Sequence, residues 1–404
     1  MLSKVFKANK FIPANLAAKF DKQFHVDVGY SQHIPKQQRQ VIQPQYGLHN
    51  VDSAIKYRLQ TNANVPSIGY AANGNMTVVT DFHFPVLKDV TAFQLELYED
   101  SMRVPHWHDC SEIGYVVSGE IEVLIVLQDT TLERFVVKEG SAWFVPAGLT
   151  HSLNNIGKQK ASMSIGFDKT RPGNYDYSMV YGSLPAVIRG AYSPDHKHLQ
   201  SYVGTRWSPI VGHLPACMID TKVNNNSAYQ LAIDATEPLF MDSNLGSVHK
   251  AWADNWPILE SSNNSSCQLS MIRTVLQPGT CRDAIWWPDV NVVYTLTKGH
   301  GHASLSLPWA EPAELELKHQ DYLFVPQAVA HTFVNRSSDE QMEVVGFMSK
   351  HSPMPEMSIL RDSKALPLHI LNAGLSGYGA SSYENVITEL CTVGAGARIF
   401  RINN

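Results

Sequence analysis

The chain has 404 residues, more than one hydrophobic core usually serves, so two domains are expected. Its 44% hydrophobic and 17% charged composition is that of a globular chain, and a net charge of −5 lacks the basic footprint that nucleic acid or an anionic membrane requires. No apolar run approaches the length of a membrane-spanning helix, and the opening MLSKVFKANKFIPANLAAKF has basic residues without a leader's apolar core or small-residue cleavage site.

In chain order, residues 1–60 read as an N-terminal arm, with helical character in PANLAAKFDKQF (13–24) and a polar, loop-like run after it. Residues 61–190 form a first domain of short alternating segments, among them FQLELYE (93–99), IEVLIVL (121–127) and ERFVVK (133–138). Residues 191–226, beginning AYSPDHKHLQSYVGTRW, are punctuated by proline and glycine and read as the connection. Residues 227–404 form a second domain, whose QLSMIRTVL (268–276) alternates in the same way. Short strands between Gly, Pro, Asp and Asn turns predict antiparallel sandwiches or barrels. Five scattered cysteines, Cys110, Cys217, Cys267, Cys281 and Cys391, suit reduced thiols in a cytoplasm better than a disulfide framework.

The two domains are copies. Gly119 and Gly299, Pro146 and Pro326, and His151 and His331 each lie 180 residues apart, and WFVPAGLTHSLNN (143–155) parallels LFVPQAVAHTFVN (323–335). DFHFPVL (81–87) likewise echoes DNWPIL (254–259). A period this long marks a duplicated domain, not a solenoid repeat.

The first copy carries a dense cluster in VPHWHDCSEIGYVVSGE (104–120). His106, His108 and Glu112 share parity, so one strand spanning them would aim all three inward, and the turn at Pro146 and Gly148 would bring His151 alongside. Three imidazoles and one carboxylate form a mixed shell suited to Mn, Fe, Ni, Cu or Zn, and a six-coordinate ion would keep two positions open. A lone histidine is usually a satisfied core or surface residue; four donors with these glycines and this proline between them predict a metal site.

HWHDCSEIGYVVSG (106–119) resembles the first cupin motif, and GSAWFVPAGLTHSLNN (140–155) resembles the second, both without a gap. The resemblance covers most of the chain from about residue 60 and implies an all-β fold of two tandem cupin barrels, double-stranded β-helices of jelly-roll type, with short flanking helices. In detail the chain is similar to the oxalate decarboxylase family: SMRVPHWH keeps that family's arginine, here Arg103, and Trp107 and Trp143 also match. The resemblance implies one divalent metal per chain, manganese before Fe, Ni, Zn or Cu, a small anionic substrate bound by Arg103 and Trp143, and a homo-oligomer. A guanidinium beside open metal positions offers a planar fork matched to a carboxylate; the plainer alternative is an ion pair of Arg103 with Glu99 or Asp100 at the barrel rim.

Two departures from the family pattern stand out. In PGTCRDAIWWPDVNVVYTLTKG (278–299), Arg282 keeps the arginine position, but Ile285, Trp287 and Val292 replace two histidines and the glutamate, leaving only His331. The second site is therefore expected to hold no metal. His300 and His302 in KGHGHASL fall outside the ligand positions and read as a polar strand face after a turn. The lid glutamate that handles a proton in oxalate decarboxylases is also missing from FDKTRPGNYDYSM (167–179), where Pro172 and Gly173 suggest a turn. Asp168 and Asp176 are the nearby carboxylates, neither at the expected place, so the catalytic residue is left open; without a general acid the same site could oxidise its substrate instead of decarboxylating it. The sequence thus predicts a metal-dependent enzyme of oxalate or a similar small carboxylate, with a dioxygenase of a larger phenolic or diketone substrate and a ligand-binding bicupin without catalysis as alternatives.

Overall fold

The computed structural model describes residues 54–61, 73–192, 197–204, 208–212, 222–260, 267–307, 314–367, 370–371 and 399–402. The helical expectation at 13–24, Cys217 and Cys391 lie outside the described residues; Cys110, Cys267 and Cys281 are unpaired thiols.

The first half carries β1 (Arg58–Leu59), β2 (Gly74–Thr77), β3 (Thr91–Leu97), β4 (Ser101–Trp107), β5 (Glu112–Ser118), β6 (Glu120–Val126) and β7 (Leu132–Lys138). There follow β8 (Ser141–Val145), β9 (His151–Asn155), β10 (Ala161–Phe167), β11 (Tyr175–Asp176), β12 (Ile210–Gly212) and β13 (Gln230–Ala232). The second half repeats the series as β14 (Phe240–Asp242), β15 (Gly246–Ala251), β16 (Ser270–Leu276), β17 (Thr280–Arg282), β18 (Ile285–Trp286), β19 (Val292–Lys298) and β20 (Gly301–Ser306). It ends with β21 (Glu314–Leu317), β22 (Tyr322–Val325), β23 (Ala330–Asn335), β24 (Met342–Met348), β25 (Met357–Ser358) and β26 (Ile399–Arg401). Short helices at Tyr177–Ser183, Ala186–Tyr192, Lys197–Gln200 and Ile359–Ala365 flank the strands, as expected.

Each half is a pair of facing antiparallel sheets. In the first, one sheet runs β13-β8-β5-β10-β3-β2 and the other β11-β4-β9-β6-β7, with β12 beside β4. In the second, one runs β1-β22-β19-β24-β16-β15-β14 and the other β21-β20-β23-β17-β26, with β18 and β25 beside it. The glycine that ends β5 and the one that ends β19 share a left-handed backbone, with φ of 84° at Gly119 and 74° at Gly299. A Cβ on Gly299 would lie 2.1 Å from the Gln341 carbonyl oxygen, so the repeated glycine marks a turn that admits no side chain.

Strands β5, β19 and β24 are buried on both faces because each lies between its own barrel interior and the other barrel. That junction is a core of its own: Ile113, Tyr115 and Phe144 from the first half pack with Val293, Tyr322, Phe324 and Phe347 from the second. Gly166 has no side chain there because the Phe347 ring takes the space, 2.2 Å from where a Cβ would stand. Ser164 and Thr295 share a hydrogen bond of 2.9 Å across the junction, and the buried Tyr115 hydroxyl donates to Glu343 at 3.2 Å.

The division at 190, 226 and 227 is looser in space than in sequence. Within the connecting segment, β12 adds to the first barrel beside β4, and β13, beyond residue 227, pairs with β8 of the first barrel. Reciprocally, β1 of the N-terminal arm pairs with β22 of the second barrel. Each barrel's sheet is thus extended by a strand that precedes the other barrel in sequence, which ties the two together.

Candidate metal centre

One strand does not carry the three ligands that share parity. Strand β4 ends at Trp107, the chain turns through 108–111, and Glu112 opens β5 in the opposite sheet. His106 stands opposite His151 in the register of β4 with β9, while Glu112 arrives from the facing sheet, so the ligands converge across the barrel interior. The donor atoms of His106, His108, Glu112 and His151 all lie within 4.8 Å of one another, and all four residues are buried. Among the described residues this is the one such cluster of three or more.

Backbone carbonyls set the protonation of all three rings. The Nδ1 of His106 lies 2.7 Å from the Val104 oxygen, that of His108 2.7 Å from the Gly173 oxygen, and that of His151 3.0 Å from the Leu149 oxygen. A carbonyl only accepts, so each Nδ1 carries hydrogen and each Nε2 keeps a lone pair for the centre. The Nε2 atoms of His108 and His151 then face Glu112 Oε2 at 3.3 and 3.2 Å. Acceptors so close repel unless positive charge lies between them, which is what a divalent cation supplies. The residues present therefore fit such an ion. Glu112 is held on its other oxygen, where Oε1 accepts from Trp143 Nε1 at 2.9 Å. Burial opposes the charge on Glu112, and it takes positive charge where the His151 and His108 Nε2 atoms face it, from ring protons or from a cation in their place, to hold the carboxyl below its usual range. Burial, with the Arg103 charge and the neighbouring imidazoles, pushes His106 well below its ordinary value, so that ring is neutral and ready to ligate.

Beside the ligands lies a cavity of about 400 Å³ lined by Arg103, His106, His108 and Glu112. Arg103 does not sit at the rim with Glu99 or Asp100. It is 2% exposed, and its guanidinium donates to Asp176 at 2.6 Å, to Asn174 Oδ1 at 2.5 Å and to the Pro209 oxygen at 3.2 Å. Trp143, expected to touch substrate, is not among the residues lining the cavity; it stands behind Glu112 and aims it. Asp168 is also away from the cavity: its oxygens accept from the backbone amides of Ser111 at 2.8 Å and Gln268 at 2.9 Å, tying the two barrels together. Of the two candidate carboxylates, Asp176 alone lines the cavity.

The segment 167–179 does lie over the site. Asp109 accepts from the Gly173 amide at 2.7 Å and pairs with Lys169 at 2.5 Å, and the His108 ring holds Gly173 from the other side. Tyr175 and Asp176 then pair with Trp107 and His106 as β11. Asn174, which this segment presents to Arg103, is the site residue that the sequence did not disclose; its only signal was a place in the lid two residues before Asp176.

The Cupin family profile matches residues 60–193 and 232–371. The chain belongs to the cupin family. The two matches make it a bicupin, and the all-β, two-barrel expectation holds. Oxalate decarboxylase OxdC of Bacillus subtilis (strain 168) is 21% identical over 303 residues, 73% of this chain and 75% of that protein. A probable oxalate decarboxylase of Arthroderma benhamiae is 21% identical over 277 residues, 64% of each. The solved structure of oxalate decarboxylase from Bacillus subtilis at pH 4.6 superposes with a TM-score of 0.70 at 18% identity, covering 86% of this chain and 87% of that one.

The second cupin closes the same space with side chains. Ile285, Trp287 and Val292 are buried where the first cupin has His106, His108 and Glu112. His331 keeps the pose of His151, its Nδ1 on the Val329 oxygen at 3.2 Å, but its Nε2 accepts from the Tyr294 hydroxyl at 3.0 Å. Trp287 Nε1 donates to that same hydroxyl at 3.1 Å, so every polar atom of the trio is used internally. Burial lowers His331 to about 3, leaving it neutral. Tyr294 was missed in the sequence because it stands at the position of Gly114, a residue that carries no ligand. His300 is exposed and pairs with Glu340 at 3.2 Å, and His302 sits on β20, so neither joins a metal cluster.

Proposed function

We propose that the protein is a metal-dependent enzyme acting on a small carboxylate at a single site in the first cupin, with chemistry of the oxalate decarboxylase or oxidase class. What carries the reading is the convergence of three carbonyl-anchored imidazoles and a tryptophan-held glutamate on one point beside a cavity that contains a buried arginine. The ligand set suits one divalent ion per chain, manganese being the first candidate by kinship. When bound, the ion supplies Lewis acidity and an electron path at its open positions.

The chain's own residues do the rest. Arg103 orients a carboxylate, and its donors to Asp176 and Asn174 hold its plane fixed. The lid segment, latched at Asp109, keeps water from the bound substrate. Asp176, whose Oδ1 accepts from Arg103 at 2.6 Å and Oδ2 from the Asn174 amide at 3.3 Å, pins the guanidinium at the cavity wall. Decarboxylation of oxalate breaks its C–C bond and places one proton on the carbon that becomes formate; oxidation instead passes two electrons to dioxygen and gives two CO2 and hydrogen peroxide. Elemental analysis followed by an assay separating formate from peroxide tests the proposal. One equivalent of metal and either product support it, and a metal-loaded protein that turns over no carboxylate refutes it.

A further inference from the structure

The cavity beside the metal ligands is larger and more apolar than oxalate requires. Its volume of about 400 Å³ is in the range of sites for ligands with a sizeable body. Away from the ligands its wall is built by Val78, Phe93, Leu95, Leu153, Ile165 and Phe167, drawn from both sheets of the first barrel. A hollow here is not imposed by the fold, since the second barrel of the same chain fills its interior with Trp287 and Tyr294. Charge gives a second, independent constraint. A divalent ion and Glu112 leave one positive charge, and Arg103 is already matched by Asp176 at 2.6 Å. One negative charge on the ligand completes neutrality; a dianion would leave a buried excess facing an apolar wall.

We infer that the first cupin takes a monocarboxylate with an apolar body, its carboxylate at the metal and Arg103 and its body against the wall of Phe93, Leu95, Ile165 and Phe167. This rests on the reading of the site as a metal-dependent carboxylate site and names the kind of carboxylate. It also gives the Asp176–Arg103 pair a role in specificity: Asp176 cancels the charge that would otherwise favour a dianion.

Isothermal titration of the manganese-loaded protein, dialysed free of excess metal, with acetate, butanoate, hexanoate and oxalate tests this by binding alone. Affinity should climb about fourfold per methylene from acetate to hexanoate, the yield of burying each CH2, and hexanoate should bind more tightly than oxalate. Met179→Trp fills the cavity from a lid position that is 46% exposed, where a larger ring is tolerated, and should bring hexanoate down to the affinity of acetate. Asp176→Asn should shift the oxalate-to-hexanoate preference toward oxalate by about tenfold or more. A flat series, or oxalate as the tightest ligand of the unaltered protein, overturns the inference and leaves the carboxylate site standing. No binding of any carboxylate overturns both.

Discussion

Trp143→Phe tests whether the metal centre is built from behind. The indole is fully buried, packs over Gly114, and gives its only N–H to Glu112 Oε1 at 2.9 Å. Phenylalanine keeps most of the ring packing but leaves that buried carboxylate oxygen without a donor. A hydrogen bond to a charged group contributes about 1.5–3 kcal/mol, and the smaller ring adds about 1 kcal/mol for the space it vacates. Unfolding of the metal-free variant in urea should therefore show a loss of about 3 kcal/mol. The second effect is on the ion: a carboxylate free to rotate is a poorer ligand, and loss of such a support weakens metal binding about 10–100-fold. Competition with a chromophoric chelator measures this directly. If the variant loses stability but holds manganese within about threefold of the wild type, Trp143 is packing alone and the account of how Glu112 is aimed is wrong.

The purified protein should hold one equivalent of specifically bound metal per chain, and His151→Ala should lose most of it while circular dichroism stays unchanged; two equivalents, or undiminished binding in the variant, contradict the ligand set. Asp168→Ala leaves a part-buried amide at Ser111 and an exposed one at Gln268 without their acceptor and should destabilise the fold by about 1 kcal/mol with metal content unchanged, since the residue ties barrels and not ligands. His331 is held at about 3 in the native state against an ordinary 6.5, so between those values the unfolded chain binds a proton that the native chain refuses. Stability contributed there is fully present above about pH 6.5 and lost as pH falls toward 3; His331→Gln should flatten that slope in urea titrations and leave turnover at the first site within a few-fold, and an unchanged slope refutes the assignment. The variant Ile285→His, Trp287→His, Val292→Glu should lose stability and gain no specific metal, which elemental analysis decides.

Much of the architecture was legible because the signals are local. The 180-residue echo, the turn glycines and the ligand spacing are properties of neighbouring residues, and they pointed to two barrels and to the four residues whose donor atoms meet. The misreadings all concern which partner a side chain meets. Parity alone put Glu112 on one strand with His106, whereas a four-residue turn carried it to the other sheet. Trp143 and Asp168 lie in matching or suggestive segments, but a buried N–H must find an acceptor and a half-buried carboxylate takes donors where they lie, and those partners, Glu112, Ser111 and Gln268, come from distant parts of the chain. Likewise the strands β12 and β13 lie in or beside the apparent connection, yet they pair with the first barrel.

The second cupin shows why three ligands do not make a site. In the first cupin Gly114 has no side chain because the Trp143 ring fills its place, with ring carbons within 2.2 Å of an imagined Cβ, and that ring then reaches Glu112. At the corresponding positions the second cupin has Tyr294 and Leu323, so the bulk has moved from one strand to its neighbour. The tyrosine hydroxyl now occupies the point where an ion would meet His331, at 3.0 Å from Nε2. A glutamate at 292 would find no indole to hold it and a phenol in its way. Its burial without donors raises its pKa and favours the uncharged form, which is a poor ligand. Metal binding in that barrel should therefore require Tyr294→Gly and Leu323→Trp in addition to the three ligand substitutions, and a specific site formed by the three alone would show that the ring behind the glutamate is dispensable.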